Sequence, residues 1–172
     1  MGAPTVLIAG VGNIFKGDDA FGVEVARRLA GRNLPEGVCV KDFGIRGLDL
    51  AYTLLDNRNA ATILVDAASR GGTPGTLYTI EPDLAGATGR DRDAALVETH
   101  DLDPVKVLRM VKSMGGDLKH VLVVGCEPLT LGPEEGVMGL SEPVAAAVDE
   151  AVRVIESLVT KILAEEPAVR PM

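Results

Sequence analysis

Two kinds of hydrophobic pattern alternate along this chain. Short unbroken apolar runs indicate buried strands, and longer stretches in which apolar residues return every third or fourth position indicate helices. The pattern predicts strands at 5–9, 38–43, 62–65, 76–80 and 121–124, and helices at 19–29, 47–55, 103–114 and 141–162. This alternation is typical of an α/β fold with mostly parallel strands.

Turn residues and breaks in the pattern indicate how these elements are arranged. The unbroken run at 62–65 predicts a central strand. The turn sequence at 71–75 is short enough to predict a hairpin-like return, which makes 76–80 an antiparallel edge strand. Residues 81–102 lack periodicity, and a loop of that length is usually functional or disordered. We expect the whole chain to form one domain with a frayed tail at 166–172.

The composition narrows the classes of protein that the chain can belong to. It is 47% hydrophobic but only 3% aromatic, so Val, Leu, Ile and Ala must form the core, which suits a sheet buried on both faces. A net charge of −8 without any Lys/Arg-rich run disfavours nucleic acid and anionic membranes as partners. The N-terminus lacks a secretory signal, so we expect a cytoplasmic protein. Cys39 and Cys126 are isolated, which indicates neither a disulfide framework nor a structural zinc site.

Ionisable residues lie where three predicted strands lead into loops. Asp18 and Asp19 follow the first strand, where a pair of carboxylates would repel a phosphate, and Asp66 ends the central run. His100 lies in the long loop. Ligands of open α/β sheets bind outside the carboxyl ends of the strands. Asp19, Asp66 and His100 therefore form a candidate ligand set for a divalent metal, which could polarise a carbonyl group and activate water.

Each of these residues also has a structural interpretation. Asp18 or Asp19 could cap the first helix, and Asp66 could satisfy the amides of a turn. His100 could be solvated, while His120 precedes the last strand and is predicted to lie at the opposite edge of the sheet.

Two further acidic residues come at the ends of predicted strands. Asp42 nears the end of the second strand, where an Asx-type turn is its structural alternative. Glu127 follows the last strand, where it could form a turn ahead of Pro128.

A dinucleotide site is an alternative for the first turn. Gly10 and Gly12 after a strand, with Asp42 closing the next one, form part of the Rossmann fingerprint. The third glycine position is Phe15, and the carboxylates that follow would oppose a pyrophosphate. The chain has no P-loop sequence and no Gly-x-Ser-x-Gly elbow.

Taken together, the motifs resemble those of the hydrogenase maturation proteases over nearly the whole chain. The matching pieces are Gly10-Val-Gly-Asn13, Asp18-Asp19-x-x-Gly22, Asp42-x-Gly44, Val65-Asp66-Ala67, Gly72-x-Pro-Gly-Thr76, Thr99-His100 and Gly125-Cys-Glu-Pro128. Members of this family are endopeptidases that trim the C-terminal extension from the large subunit of nickel–iron hydrogenases. The resemblance implies a single three-layer domain, with a twisted, mostly parallel five-stranded sheet and helices on both faces.

The resemblance also implies roles for particular residues. Asp19, Asp66 and His100 match the metal-binding and catalytic positions, although the first of them is often glutamate in relatives. Asp42 and Gly44 match the motif associated with substrate binding. The implied partner is the large-subunit precursor, which supplies nickel, and zinc or cadmium could occupy the same site. Water would be activated by the metal or by a carboxylate. A non-catalytic docking module for the precursor is the nearest alternative, followed by a dinucleotide-binding enzyme.

Overall fold

The alternating pattern folds into a five-stranded sheet in the computed structural model, which describes residues 5–56, 59–84 and 103–165. The strands are β1 (Val6–Val11), β2 (Val38–Gly44), β3 (Ala61–Ala67), β4 (Leu77–Ile80) and β5 (Val121–Cys126). The helices are α1 (Phe21–Ala30), α2 (Gly47–Leu55), α3 (Pro104–Ser113) and α4 (Glu142–Glu165). None of the helices in these ranges is both long and apolar enough to cross a membrane.

The order of the strands creates a crevice at one edge of the sheet. The order is β2-β1-β3-β5-β4, with β4 antiparallel to β5 and the other neighbours parallel. From β1 the chain passes to β2 on one side, and it then returns beyond β1 to β3 on the other side. Such a change of direction leaves a crevice at the carboxyl ends of β1 and β3, where ligands of open α/β sheets bind.

The predicted positions of two strands are confirmed, but the hairpin-like return is wrong. β3 lies at the centre of the sheet and β4 is an antiparallel edge strand. However, β4 pairs with β5 rather than with β3, because β5 inserts between the two. The connection at 68–76 therefore crosses the carboxyl end of β5 and forms part of the wall around the crevice.

Two hydrophobic cores lie on opposite faces of the sheet. Val6 and Ile8 of β1 pack with α1 and α4, whereas Leu7 and Ala9 pack with α2 and α3. Side chains alternate between the faces of a strand, so a strand covered on both faces is apolar at every position. This three-layer arrangement confirms the predicted α/β fold.

The segment between β1 and α1 differs from the prediction. Residues Gly17–Ala20 form a single turn of 3-10 helix, and α1 begins at Phe21 instead of residue 19. Neither Asp18 nor Asp19 caps α1, since the N-cap position is Ala20 and no side chain caps this helix. By contrast, α2 spans the predicted residues, and Asp103 Oδ1 accepts from Val105 N at 3.0 Å to cap α3 as expected.

Gly22 allows α1 to lie directly against the backbone of the sheet. A Cβ atom at this position would be 2.0 Å from the carbonyl oxygen of Val65 and 2.4 Å from that of Val11. Those two residues belong to β3 and β1, the strands on either side of the crevice. The close approach holds the 3-10 turn that precedes α1 at the mouth of the crevice.

Candidate functional site

Asp19 is held at the carboxyl end of β1 by its own loop. Its Oδ2 accepts from the backbone N–H of Asn13 at 2.8 Å, and Asn13 Oδ1 in turn accepts from Phe15 N at 2.9 Å. The side chain of Asp19 is half-buried. These bonds place a carboxylate at the crevice, in a turn where a dinucleotide-binding protein would present bare amides to its pyrophosphate.

Asp66 is the second carboxylate at the crevice. It is the penultimate residue of β3, it is 8% exposed, and its Oδ1 accepts from Ala67 N at 2.8 Å. Burial and the nearby charges of Asp19 and Asp103 raise the pKa of Asp66 well above its ordinary value. The bond to Ala67 matches the turn-amide alternative, but it leaves most of this cost uncompensated. A cation at the crevice would lower the cost by neutralising the two carboxylates.

The third predicted ligand, His100, lies outside the described residues. Within residues 5–56, 59–84 and 103–165, no group of three His, Cys, Asp or Glu side chains is arranged to hold a metal. The structure therefore brings Asp19 and Asp66 to one crevice, and the complete three-residue set stays a prediction. The other histidine, His120, directly precedes β5 and so lies at the opposite edge of the sheet, as predicted.

A cavity of about 490 Å³ adjoins Asp66. Its walls come from the segment after β3, the segment after β4 and the first turns of α3. Both charge signs line it, with two arginines and four carboxylates: Arg70, Arg109, Asp66, Glu81, Asp83 and Asp103. A mixed polar and apolar cleft of this size accommodates a short stretch of peptide beside the buried carboxylate.

A second cavity, of about 300 Å³, contains the predicted substrate-binding residues. Asp42 Oδ1 accepts from Gly44 N at 2.8 Å, which is the Asx-type turn expected as the structural alternative. Gly44 adopts a φ of 55°, and its carbonyl oxygen accepts from Gly12 N at 2.9 Å. This bond joins the end of β2 to the loop that carries Asp19. A role of Asp42 and Gly44 in substrate binding stays a prediction.

Asp18 has a structural role that the sequence analysis missed. It is fully buried, and it accepts from the backbone N–H groups of Leu129, Thr130 and Ser141 and from the Ser141 hydroxyl. Burial by itself would raise the pKa of Asp18, but the hydrogen bonds from Ser141, Thr130 and Leu129 outweigh it and lower the pKa below its ordinary value. Asp18 thus anchors residues 129–141 against the turn that holds Asp19.

Glu127 anchors the opposite wall of the crevice. Its Oε1 accepts from Arg70 N at 2.8 Å, from Gly72 N at 2.9 Å and from the Tyr78 hydroxyl at 2.8 Å. The amides of Arg70 and Gly72 and the Tyr78 hydroxyl lower the pKa of Glu127. Its role is therefore wider than a turn ahead of Pro128. The sequence signal for this role is a lone carboxylate at the end of an apolar strand. A carboxylate buried there needs hydrogen-bond donors from elsewhere in the chain.

The neighbouring cysteine is not suited to nucleophilic catalysis. Cys126 is fully buried at the end of β5. Burial, together with the charges of Asp18 and Glu127, raises the pKa of the Cys126 thiol to about 11. The thiol is therefore protonated at neutral pH, whereas a nucleophilic cysteine reacts as the thiolate.

Comparison with known proteins gives one consistent result. A family model described as hydrogenase maturation protease matches residues 23–158. The hydrogenase expression/formation protein HupD of Rhizobium leguminosarum bv. viciae is 32% identical over 99% of this chain and 84% of its own length. The hydrogenase 2 maturation peptidase from Thaumarchaeota archaeon SCGC_AB-539-E09 is 32% identical, covers 91% of this chain and 98% of its own, and superposes with a TM-score of 0.67. The Escherichia coli hydrogenase maturating endopeptidase HybD is 25% identical, covers 91% of this chain and 93% of its own, and has a TM-score of 0.69.

Proposed function

The chain belongs to the hydrogenase maturation protease family, whose members are hydrolases of peptide bonds, and on this premise we propose its specific reaction. We propose that it removes the C-terminal extension from the large-subunit precursor of a nickel–iron hydrogenase in the cytoplasm. The observation that carries the proposal is the pair of carboxylates, Asp19 and Asp66, at the crevice between β1 and β3. The cavity beside Asp66 provides room for the peptide that is cut.

Nickel in this proposal is part of the substrate, because it arrives bound to the precursor. Asp19, Asp66 and His100 would bind it together, and zinc or cadmium could take the same ligands in the free protein. The raised pKa of Asp66 supports this role, since the cost of holding the charged carboxylate falls when a divalent cation binds. Carboxylate and imidazole are both ordinary ligands of first-row divalent metals.

The proposed reaction is the attack of water on the scissile carbonyl. A C–O bond forms, the C–N bond breaks, and the proton lost by water passes to the nitrogen of the departing extension. Activation of water by the precursor's metal and activation by a carboxylate are both compatible with this arrangement. Holding the peptide beside the reacting groups contributes on the order of 7–11 kcal/mol in favourable cases.

Asp42 and Gly44 are proposed to bind the substrate from the side of β2. The Asx-type turn fixes the Asp42 carboxylate at the mouth of the second cavity, where Arg27 Nε is 3.8 Å from its Oδ2. The carbonyl of Gly44 is joined to the loop that carries Asp19, so peptide bound at this turn lies next to the metal ligands.

The two histidines of the chain provide a matched test. Calorimetric titration with nickel(II) should show one site in the wild type and in His120→Ala, and none in His100→Ala. Incubation with nickel-loaded precursor should then lower the mass of the precursor with the first two proteins only. Full processing by His100→Ala would contradict the ligand assignment. Binding of the precursor by the wild type without any change in mass would instead favour a docking module.

A further inference from the structure

Exposed apolar side chains gather at the same edge of the sheet as the candidate site. Among the described residues, nine large hydrophobic side chains are exposed, and seven of them lie in the loops after β1, β2 and β5 or at the start of α2. Six of these seven lie in the loops, and we call them the apolar rim: Phe15, Ile45, Leu129, Leu131, Val137 and Met138. Met114 is exposed at the end of α3, which is the opposite edge of the sheet.

The backbone beneath the apolar rim is firmly held. Val137 N donates to Phe15 O at 2.8 Å, and Gly17 N donates to Val137 O at 3.0 Å. The buried carboxylate of Asp18 accepts from Leu129 N at 2.8 Å. These bonds tie the two loops to each other and to the turn before α1, and the apolar side chains on them are exposed. An exposed apolar patch on a fixed backbone marks a surface that contacts another molecule.

The apolar rim is continuous with the candidate site. Phe15 and Ile45 line the same cavity as Asp42 and Gly44. Asn13, two residues before Phe15, donates its backbone N–H to Asp19. A protein whose peptide reaches Asp19 therefore meets the apolar rim first at Phe15 and Ile45.

We propose that the apolar rim docks the folded body of the large-subunit precursor. The contact is made with an apolar surface of the precursor that surrounds the start of its C-terminal extension, and this inference rests on the proposed function. The alternative occupant, a second copy of the chain, is disfavoured by charge, because each copy carries a net charge of −8 and the two repel each other. The rim thus positions the precursor, while the crevice performs the cleavage.

Two methionines allow a matched comparison. Met138 is 66% exposed in the rim and Met114 is 46% exposed at the opposite edge, so both are replaced by serine. We expect Met138→Ser to raise the Kd for the nickel-loaded precursor about tenfold, which corresponds to about 1.4 kcal/mol. KM should rise by a similar factor while kcat and nickel affinity stay at the wild-type values. Met114→Ser should bind the precursor as the wild type does. Leu131→Ser is a second rim variant in case Met138→Ser is poorly folded.

Each result of this experiment decides between the proposals. Unchanged Kd in both rim variants would overturn the docking role, and so would the absence of any precursor binding by the wild type. A sedimentation experiment that finds a wild-type dimer dissociated by Met138→Ser would assign the rim to a second copy instead. Precursor binding that depends on the rim, without cleavage by the wild type, would support docking while contradicting the proposed hydrolysis.

Discussion

Replacement of Asp18 by alanine provides the sharpest test of how the crevice is built. The fully buried carboxylate accepts four hydrogen bonds, from Leu129 N at 2.8 Å, Thr130 N at 3.1 Å, Ser141 N at 2.7 Å and Ser141 Oγ at 2.7 Å. Alanine removes every one of these acceptors and leaves the donors in place. The loop at 129–141 then keeps only backbone hydrogen bonds to the turn that precedes α1, such as the bond from Gly17 N to Val137 O.

The expected loss of stability follows from the number of hydrogen-bond donors that are left without an acceptor. A buried donor without a partner costs about 1–3 kcal/mol, so four of them set an upper range of roughly 4–12 kcal/mol. The loop is partly exposed, and relaxation will let some of the donors reach water. We therefore expect Asp18→Ala to lower the free energy of unfolding by about 3–5 kcal/mol, comparable to the removal of one partner from a buried ion pair. Asp18→Asn keeps the shape and one acceptor, so its expected loss is smaller, at about 2 kcal/mol.

The same carboxylate predicts a dependence on pH. Its folded-state pKa lies below the ordinary value of 3.8, so the stabilisation that it provides is present above pH 3.8 and is lost as the pH falls through the folded-state pKa. The difference between wild type and Asp18→Ala should accordingly be full at pH 7 and should shrink at acid pH.

Urea unfolding followed by circular dichroism tests this prediction. Tryptophan fluorescence is not an option, because the chain has no tryptophan. The control is Asp149→Ala, because Asp149 is an exposed aspartate of α4 that pairs with the exposed Arg28. Such surface pairs contribute about 0–1 kcal/mol. An Asp18→Ala protein that loses no more stability than the control at pH 7 would refute the anchoring role.

Two other substitutions test the packing of α1 and the cost of the buried carboxylate. Gly22→Ala should lower the free energy of unfolding by about 3 kcal/mol, because its Cβ would overlap backbone oxygens. Gly31→Ala is the control, since its Cβ would make only ordinary contacts. Equal melting temperatures for the two variants would contradict the close approach of α1 to the sheet. Asp66→Asn should raise the melting temperature of the metal-free protein at pH 7 while abolishing nickel binding. Because the folded-state pKa of Asp66 is raised, the stability that this residue contributes is fully present below its ordinary pKa of 3.8 and is lost as the pH rises through the folded-state pKa. The asparagine amide does not titrate. An Asp66→Asn protein that melts at a lower temperature than the wild type at pH 7 would contradict the energetic cost of burying the charged carboxylate.

Local patterns in the sequence predicted most elements of the fold. The apolar runs indicated all five strands, with ends within two residues of those observed, because a strand covered on both faces needs an apolar residue at every position. The Asp-Pro pair at 103–104 identified the start of α3, since the cap and the fixed φ of proline act on neighbouring residues. The placement of Asp19 and Asp66 at one edge of the sheet followed from the rule that parallel strands have their carboxyl ends at the same edge.

Only the tertiary structure separated the roles of neighbouring carboxylates. Asp18 and Asp19 are adjacent and chemically identical, yet the first accepts bonds from residues more than a hundred positions away, and the second accepts from its own loop. The partner of β4 and the backbone contact at Gly22 were likewise decided by distant segments. A sequence pattern reports which local conformation is favourable and which side chains must be buried. The donors that a buried charge finds, and the strand that an edge strand pairs with, depend on which distant segments come together when the chain folds.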